Sequence, residues 1–348
     1  MECRKFQDIL GRGEEGKGLS RSEILFLVGR SDPEQKRTLF DIADRVRKKH
    51  VGDSIHVRGI IEFSNYCRQN CLYCGLRKDN QELKRYRMGP EEIIATAKMA
   101  KQQGFGTIVL QSGEDPWFTC ERMAEIIKTI KEETDMAITL SLGERDFKDY
   151  LAWKNAGADR YLLKHETASP KLFGRLKPGR KLHDRLKALV ELRSCEYEVG
   201  SGNMVGLPGQ SDGDLTDDIW LFRAYDFDMI GIGPFIAHPH TPLKGESSGS
   251  VEKTLIVIAL TRILTKNTNI PATTATGVLE EEGQQKALLA GANVLMLNIT
   301  PASYRKYYEI YPGKEHFSLG RKDLPNFFSS IGREMGKGKG PRRYSQRI

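Results

Sequence analysis

No stretch of this 348-residue chain approaches the roughly 20 consecutive apolar residues that a membrane-spanning helix requires. The best candidate, 255–260, is short and lies between Lys253 and Arg262. The opening Met-Glu-Cys-Arg-Lys-Phe-Gln lacks the apolar core of a secretory signal, so a cytoplasmic protein with no membrane partner is expected. Cysteine is scarce: there are six, none follows Cys195, and Cys71 and Cys74 form the only Cys-x-x-Cys pair. A disulfide framework suits small secreted domains and is not expected here. The net charge of +8 has no aromatic-rich basic face to accompany it, which argues against nucleic acid as a partner. Part of that excess sits in the tail, 336–348, with Lys337, Lys339, Arg342, Arg343 and Arg347, and this run reads as a solvated segment.

What is present is concentrated. Cys67, Cys71 and Cys74 fall within eight residues in the spacing Cx3Cx2C, directly after an apolar run that reads as a strand. Three thiolates on one tight loop can hold three irons of a cubane cluster and leave the fourth iron free for a non-protein ligand. A structural zinc site wants four ligands, commonly in paired clusters, and the nearest histidine, His56, sits on the preceding strand. Ferredoxin-type clusters take four cysteines, and a thioredoxin-like pair would leave Cys67 idle. Cys3, Cys120 and Cys195 fall in a terminus or in helices and read as structural or incidental.

The length allows one large barrel or two ordinary domains. Up to about Val51 the chain reads as helical: Ser20 or Ser22 can cap one helix, and Asp32-Pro33-Glu34 opens another whose Leu39, Ile42, Ala43 and Val46 share a face. This part reads as a small cap or lid. From His56 onward strands and helices alternate. Strands are expected at 56–62, 107–111, 137–140, 160–164, 198–204, 229–233, 270–274 and 294–298, with helices at 90–103, 122–133, 147–155, 184–194, 215–225, 253–265 and 283–290. Eight such pairs define the expected α/β fold, a (β/α)8 TIM-type barrel over 51–320. An N-terminal helical extension (1–50) precedes it, and a C-terminal helix and basic tail (321–348) follow.

In such a barrel the chemistry gathers at the carboxyl ends of the strands, and the residues there are polar. The second strand ends in Gln111-Ser112-Gly113-Glu114, the third in Thr139-Leu140-Ser141, and the fourth in Lys164-His165-Glu166-Thr167. Met204 closes the fifth, and Thr273 and Thr274 close the seventh. Arg160 and Lys164 lie four apart on one strand and share a face, which suggests a substrate with an anionic part.

The cysteine spacing, its place after the first strand and the aromatic Tyr73 before the last cysteine resemble the radical S-adenosylmethionine (SAM) superfamily. That resemblance implies a [4Fe-4S] cluster whose open iron chelates the amino and carboxylate groups of SAM. Ser112-Gly113-Glu114 is similar to the superfamily's Gly-Gly-Glu segment, with Ser112 in place of the first glycine.

Longer runs narrow the resemblance. Ile-Glu-Phe-Ser-Asn (61–65), Cys-Leu-Tyr-Cys-Gly-Leu-Arg (71–77), Ile-Val-Leu-Gln-Ser-Gly-Glu-Asp (108–115), Ala-Asp-Arg-Tyr-Leu-Leu (158–163) and His-Glu-Thr (165–167) occur in order. Met-Val-Gly-Leu-Pro-Gly-Gln (204–210), Gly-Ile-Gly-Pro-Phe-Ile (231–236) and Ile-Pro-Ala-Thr-Thr-Ala (270–275) follow. Over about residues 20 to 320 these resemble the HydE family of [FeFe]-hydrogenase maturases. The resemblance implies reductive cleavage of SAM to a 5′-deoxyadenosyl radical that acts on an iron–cysteine carbonyl/cyanide precursor delivered from HydG. The product then passes toward HydF, and a low-potential donor supplies the electron.

By matched motif, Cys67, Cys71 and Cys74 are the implied cluster ligands, and Tyr73, Gln111, Ser112, Gly113, Thr139, Ser141, Glu166, Arg185 and Met204 the implied SAM contacts. Arg160, Lys164, Thr273, Thr274 and Tyr308 are the implied substrate end, and Glu166 and Arg160 the implied catalytic pair. Lys164 stands where the family usually has arginine, which keeps the charge and loses the bidentate fork. Some family members hold a second cluster on cysteines near the C-terminus, so one cluster is expected here. A biotin-synthase-like enzyme with another substrate, such as methylornithine synthase, is the alternative.

Overall fold

The computed structural model describes residues 2–30, 32–314 and 323–343. Its inner wall is β1 (Ser54–Ser64), β2 (Thr107–Ser112), β3 (Ala137–Ser141), β4 (Arg160–Leu162), β5 (Glu198–Val205), β6 (Met229–Pro234), β7 (Pro271–Ala272) and β8 (Val294–Asn298). They run parallel in the order β6-β5-β4-β3-β2-β1-β8-β7. One bridge, Met229 with Asn269, joins β6 to the residues before β7. The result is a nearly closed eight-stranded barrel whose seam falls where β7 has only two residues. Every strand end lies within two residues of its expected place.

The wall reads as apolar runs because both faces of a parallel strand are covered; in β2 only Gln111 is not fully buried. Helix Cys120–Thr134 presents one apolar stripe inward, Met123, Ile126, Ile127 and Ile130. Gly157 (φ +111°) ends helix Phe147–Asn155 in a left-handed turn that lets Ala158 N reach Trp153 O at 3.1 Å.

Ser20, not Ser22, caps helix Arg21–Val28, in a reciprocal capping box with Glu23. Asp32 accepts from Gln35 N at 2.9 Å to start Pro33–Val51. Leu39, Ile42, Ala43 and Val46 are buried as their spacing predicts, against helix Val251–Thr265. These N-terminal helices form part of the outer layer, and none of their residues lines the cavity at the carboxyl ends of the strands. They are therefore not the lid that their isolation in the sequence suggests.

The tail also differs from its reading as a solvated segment. β9 (Glu334–Met335) pairs with Ser54 and Ile55 at the start of β1, and the chain then crosses the amino end of the barrel. Lys339 O accepts from Thr107 Oγ1 (2.7 Å) and Arg160 Nη2 (3.0 Å), and Gly340 O accepts from Arg58 Nη2 (3.3 Å). Arg342 is buried on Asp226 and Asn267. The backbone of this segment closes the barrel floor while the side chains of Lys337, Lys339 and Arg343 stay exposed; Arg347 lies outside the described residues.

The crossing is tight: a Cβ on Gly106 would stand inside contact distance of the Gly338 carbonyl. Gly106→Ala is expected to lower stability by about 1–3 kcal/mol through displacement of the tail, read as a lower thermal midpoint. An unchanged midpoint would show that the strap yields without cost.

Candidate functional site

A cavity of about 360 Å³ opens at the carboxyl ends of the strands, within the size range of small-molecule sites. The loop after β1 brings Cys67, Cys71 and Cys74 to its wall. This loop is pinned from three directions. Arg68 N donates to Glu114 O (3.0 Å), Leu72 N to Leu176 O (2.9 Å) and Gly75 N to Ile310 O (3.1 Å). Glu114 N reaches Cys67 Sγ at 3.4 Å.

Two glycines make the approach possible. Gly113 packs against the Tyr66 carbonyl and Cys67 Cβ, and Gly75 against Glu309 O and His238, so a side chain at either would push the loop away. Burial raises the thiols of Cys67 and Cys74, and for Cys74 the neighbouring Cys71 adds to the effect. A thiol raised in this way suits a cationic metal centre, which deprotonates its sulfur ligands. Among the described residues no three His, Cys, Asp or Glu side chains converge on a single ion. A cubane does not need that convergence, because each thiolate binds a different iron.

The rest of the wall comes from the ends of β2 to β7, from Met296 of β8, from Lys177 and Arg185 in the helical stretch after β4, and from the chain after β8. Tyr73, Gln111, Ser112, Gly113, Ser141, Glu166, Arg185 and Met204 all line the cavity, as do Lys164, Thr273, Thr274 and Tyr308. Arg185, almost fully buried, donates to Glu144 and to Lys164 O. Lys164 Nζ lies 3.7 Å from Glu166 Oε2. Burial raises Tyr73 well above the usual phenol range, with Glu166 adding to it, and burial does the same to Tyr308. Thr273 is not on a strand but heads helix Thr274–Leu279, and its Oγ1 is buried without a hydrogen-bond partner, a free polar point at the wall.

Glu166 has φ +70°, and Thr167 N donates to His165 O at 2.9 Å. This is the strained form of γ-turn, which costs about 1–3 kcal/mol at a residue other than glycine. β4 itself ends at Leu162, two residues earlier than the pattern predicts, with Glu166 bridging once more to Asn203.

Two expected site residues lie elsewhere. Arg160, expected to bind substrate and take part in catalysis, sits on the barrel floor. There its Nε holds Glu198 at 2.7 Å and its Nη1 holds Thr107 at 3.2 Å. It shares a face with Lys164, but four residues of strand span about 13 Å, so the same face does not mean the same depth. Thr139, expected as a SAM contact, pairs with Arg160 below Ser141; its buried Oγ1 has no partner and does not reach the cavity.

The cavity holds residues that the sequence pattern did not single out. Lys177, 6% exposed, lines it with Nζ 3.4 Å from Tyr73 Oη. It follows helix Pro170–Leu176, whose start was legible in Ser169-Pro170, since proline favours the first helical position. Gln69, Phe235, Ile236 and Tyr311 also line the cavity. With Lys164, Lys177 and Arg185 against Glu114 and Glu166, and Glu114 itself held by Arg68 at 3.2 Å, the wall favours anions.

A strand-end cavity with a Cx3Cx2C loop on its rim defines a radical SAM barrel, and residues 61–219 match the family model described as Radical SAM superfamily. The chain is 52% identical over 300 residues to the [FeFe] hydrogenase maturase subunit HydE of Thermotoga maritima, covering 86% of each. It belongs to the HydE family of radical SAM maturases. A 3-methylornithine synthase of Methanosarcina acetivorans is 28% identical, over 81% of this chain and 80% of that one. The crystal structure of methylornithine synthase superposes with a TM-score of 0.85 at 26% identity, covering 94% of this chain and 97% of that one. Among the described residues no helix is long and apolar enough to cross a membrane.

Gly113→Ala is expected to weaken cluster retention by about 1–3 kcal/mol. The readout is lower iron and sulfide per chain with an unchanged far-ultraviolet spectrum. Full cluster loading in this variant would show that the close approach is dispensable.

Proposed function

We propose that the three cysteines hold one [4Fe-4S] cluster, that the surrounding wall holds SAM, and that the substrate is a small iron–cysteine carbonyl/cyanide complex. The task is assembly of the diiron part of the [FeFe]-hydrogenase active site. The observation that carries this reading is convergence: the three thiols, a buried arginine and a strained glutamate line one cavity.

With cluster and SAM bound, the chemistry supplied is one-electron cleavage of SAM's S–C5′ bond to methionine and a 5′-deoxyadenosyl radical. The chain's own residues have other work. Arg185, aimed by Glu144, offers charge to SAM's carboxylate. The Glu166 carboxylate suits ribose hydroxyls, with Gln111, Ser141 and Tyr73 around it. Ser112 Oγ is turned to Gly113 O at 2.7 Å, so its share is the backbone edge beside Gly113. Phe235, Ile236 and Met204 exclude water.

Lys164, Thr273, Thr274 and Tyr308 then face the substrate, whose cyanide and carboxylate charge suits the cationic wall. A single cluster is part of this proposal, in keeping with a sequence in which no cysteine comes after Cys195. HydG as supplier, HydF as recipient, a low-potential electron donor and a cytoplasmic setting complete the reading.

Under anaerobic reduction the protein should convert SAM to methionine and 5′-deoxyadenosine, and Cys71→Ala should lose both the cluster absorbance and the cleavage. SAM bound without cleavage would identify an iron–sulfur carrier. Arg185→Ala should weaken SAM binding by about 1.5–3 kcal/mol, measured by equilibrium dialysis of cluster-loaded protein; unchanged affinity would remove Arg185 from the site. Apo-hydrogenase given HydG and HydF should gain activity only when this protein is added. Cleavage of SAM with no maturation would instead favour a methylornithine-synthase-like substrate.

A further inference from the structure

Side chains alternate across a strand end, so Lys164 and Glu166 face the cavity while His165 faces the outer helix Asp212–Tyr225. There His165 is fully buried against Phe222, ring centroids 5.4 Å apart. Its Nδ1 lies 2.9 Å from Ser201 Oγ and its Nε2 3.2 Å from Asp218 Oδ1. Asp218, also fully buried, accepts from Ala168 N beyond the turn and from Asn203 Nδ2 at 2.8 Å. Asn203 is the residue of β5 that bridges to Glu166. One carboxylate outside the barrel wall therefore holds the residue before Glu166, the residue two beyond it and its neighbour on the next strand. A carboxylate is costly to bury, and this one is placed where it braces the strained turn.

We propose that Asp218, acting with His165, is the positioning residue for Glu166: it keeps the γ-turn in its left-handed form and the Glu166 carboxylate directed into the cavity. This rests on the reading of Glu166 as a SAM contact. Neither Asp218 nor His165 touches the cavity, so any effect on SAM passes through the turn.

The test is a double-mutant cycle on the cluster-loaded protein, with the SAM dissociation constant from equilibrium dialysis and amide hydrogen exchange over 163–168. Asp218→Leu should weaken SAM binding about tenfold, or 1.4 kcal/mol, and speed exchange of the Thr167 and Ala168 amides. When Glu166 is already replaced by glutamine, the same change should matter less than about twofold. Asp218→Asn keeps an acceptor for Ala168 N and should restore affinity to within about threefold. Equal losses in the two backgrounds would mean a general structural defect and overturn the positioning role, with Glu166 still a contact. Unchanged affinity in Glu166→Gln alone would overturn the contact and the positioning role together. If Asp218→Leu does not fold, His165→Phe keeps the packing on Phe222, deletes both ring hydrogen bonds and carries the same cycle.

Discussion

The cysteine loop can sit over the barrel mouth only because the end of β2 comes within backbone contact of it. Gly113 allows that approach, with the Tyr66 carbonyl and Cys67 Cβ occupying the space a side chain would take. Next to it, Glu114 O receives Arg68 N while Glu114 N points at Cys67 Sγ. The Glu114 carboxylate binds Gln69 and also Glu144 N at 3.1 Å. Glu144 in turn takes Arg185. Cysteine loop, second strand end, third strand end and the cavity-lining Arg185 thus form one connected chain of hydrogen bonds. A displacement of β2 would reach all of them.

Charge is distributed unevenly along the barrel axis. At the open end, Lys164, Lys177 and Arg185 outnumber Glu114 and Glu166. At the floor, Arg58 and Arg160 are buried, and burial lowers Arg58 to about 9. Buried guanidinium groups need acceptors, and the tail supplies them with the carbonyls of Lys339 and Gly340. The same crossing that closes the floor also gives each guanidinium an acceptor, while Glu198 meets the charge of Arg160. This explains why the backbone of a run rich in lysine, arginine and glycine docks on the barrel although most of its side chains remain exposed.

Much of the fold was legible in local pattern. Strand–helix alternation, apolar stripes and capping residues such as Asp32 gave eight strands with ends correct to within two residues. The site was legible where a motif names its chemistry, as with Cys67, Cys71 and Cys74. It was less so where position along the barrel axis matters. Arg160 and Thr139 carry suitable groups on inward faces but lie too deep, because alternation reports the face and not the depth. Lys177 and Asp218 were missed for a different reason: one follows a short helix and the other sits mid-helix, and neither place carries a pattern that marks its role.

The sequence by itself determined the alternation of strands and helices, the three-thiol loop and, through its ordered runs, membership of the HydE family of radical SAM enzymes. Those features depend on neighbours within a few residues, or on exact strings. Only the tertiary structure decided which polar residues share the cavity, that the basic tail closes the barrel floor, and that a buried aspartate on an outer helix braces the turn carrying Glu166. Each of these depends on contacts between residues far apart in the chain, whose distances follow from barrel closure and packing and not from local composition.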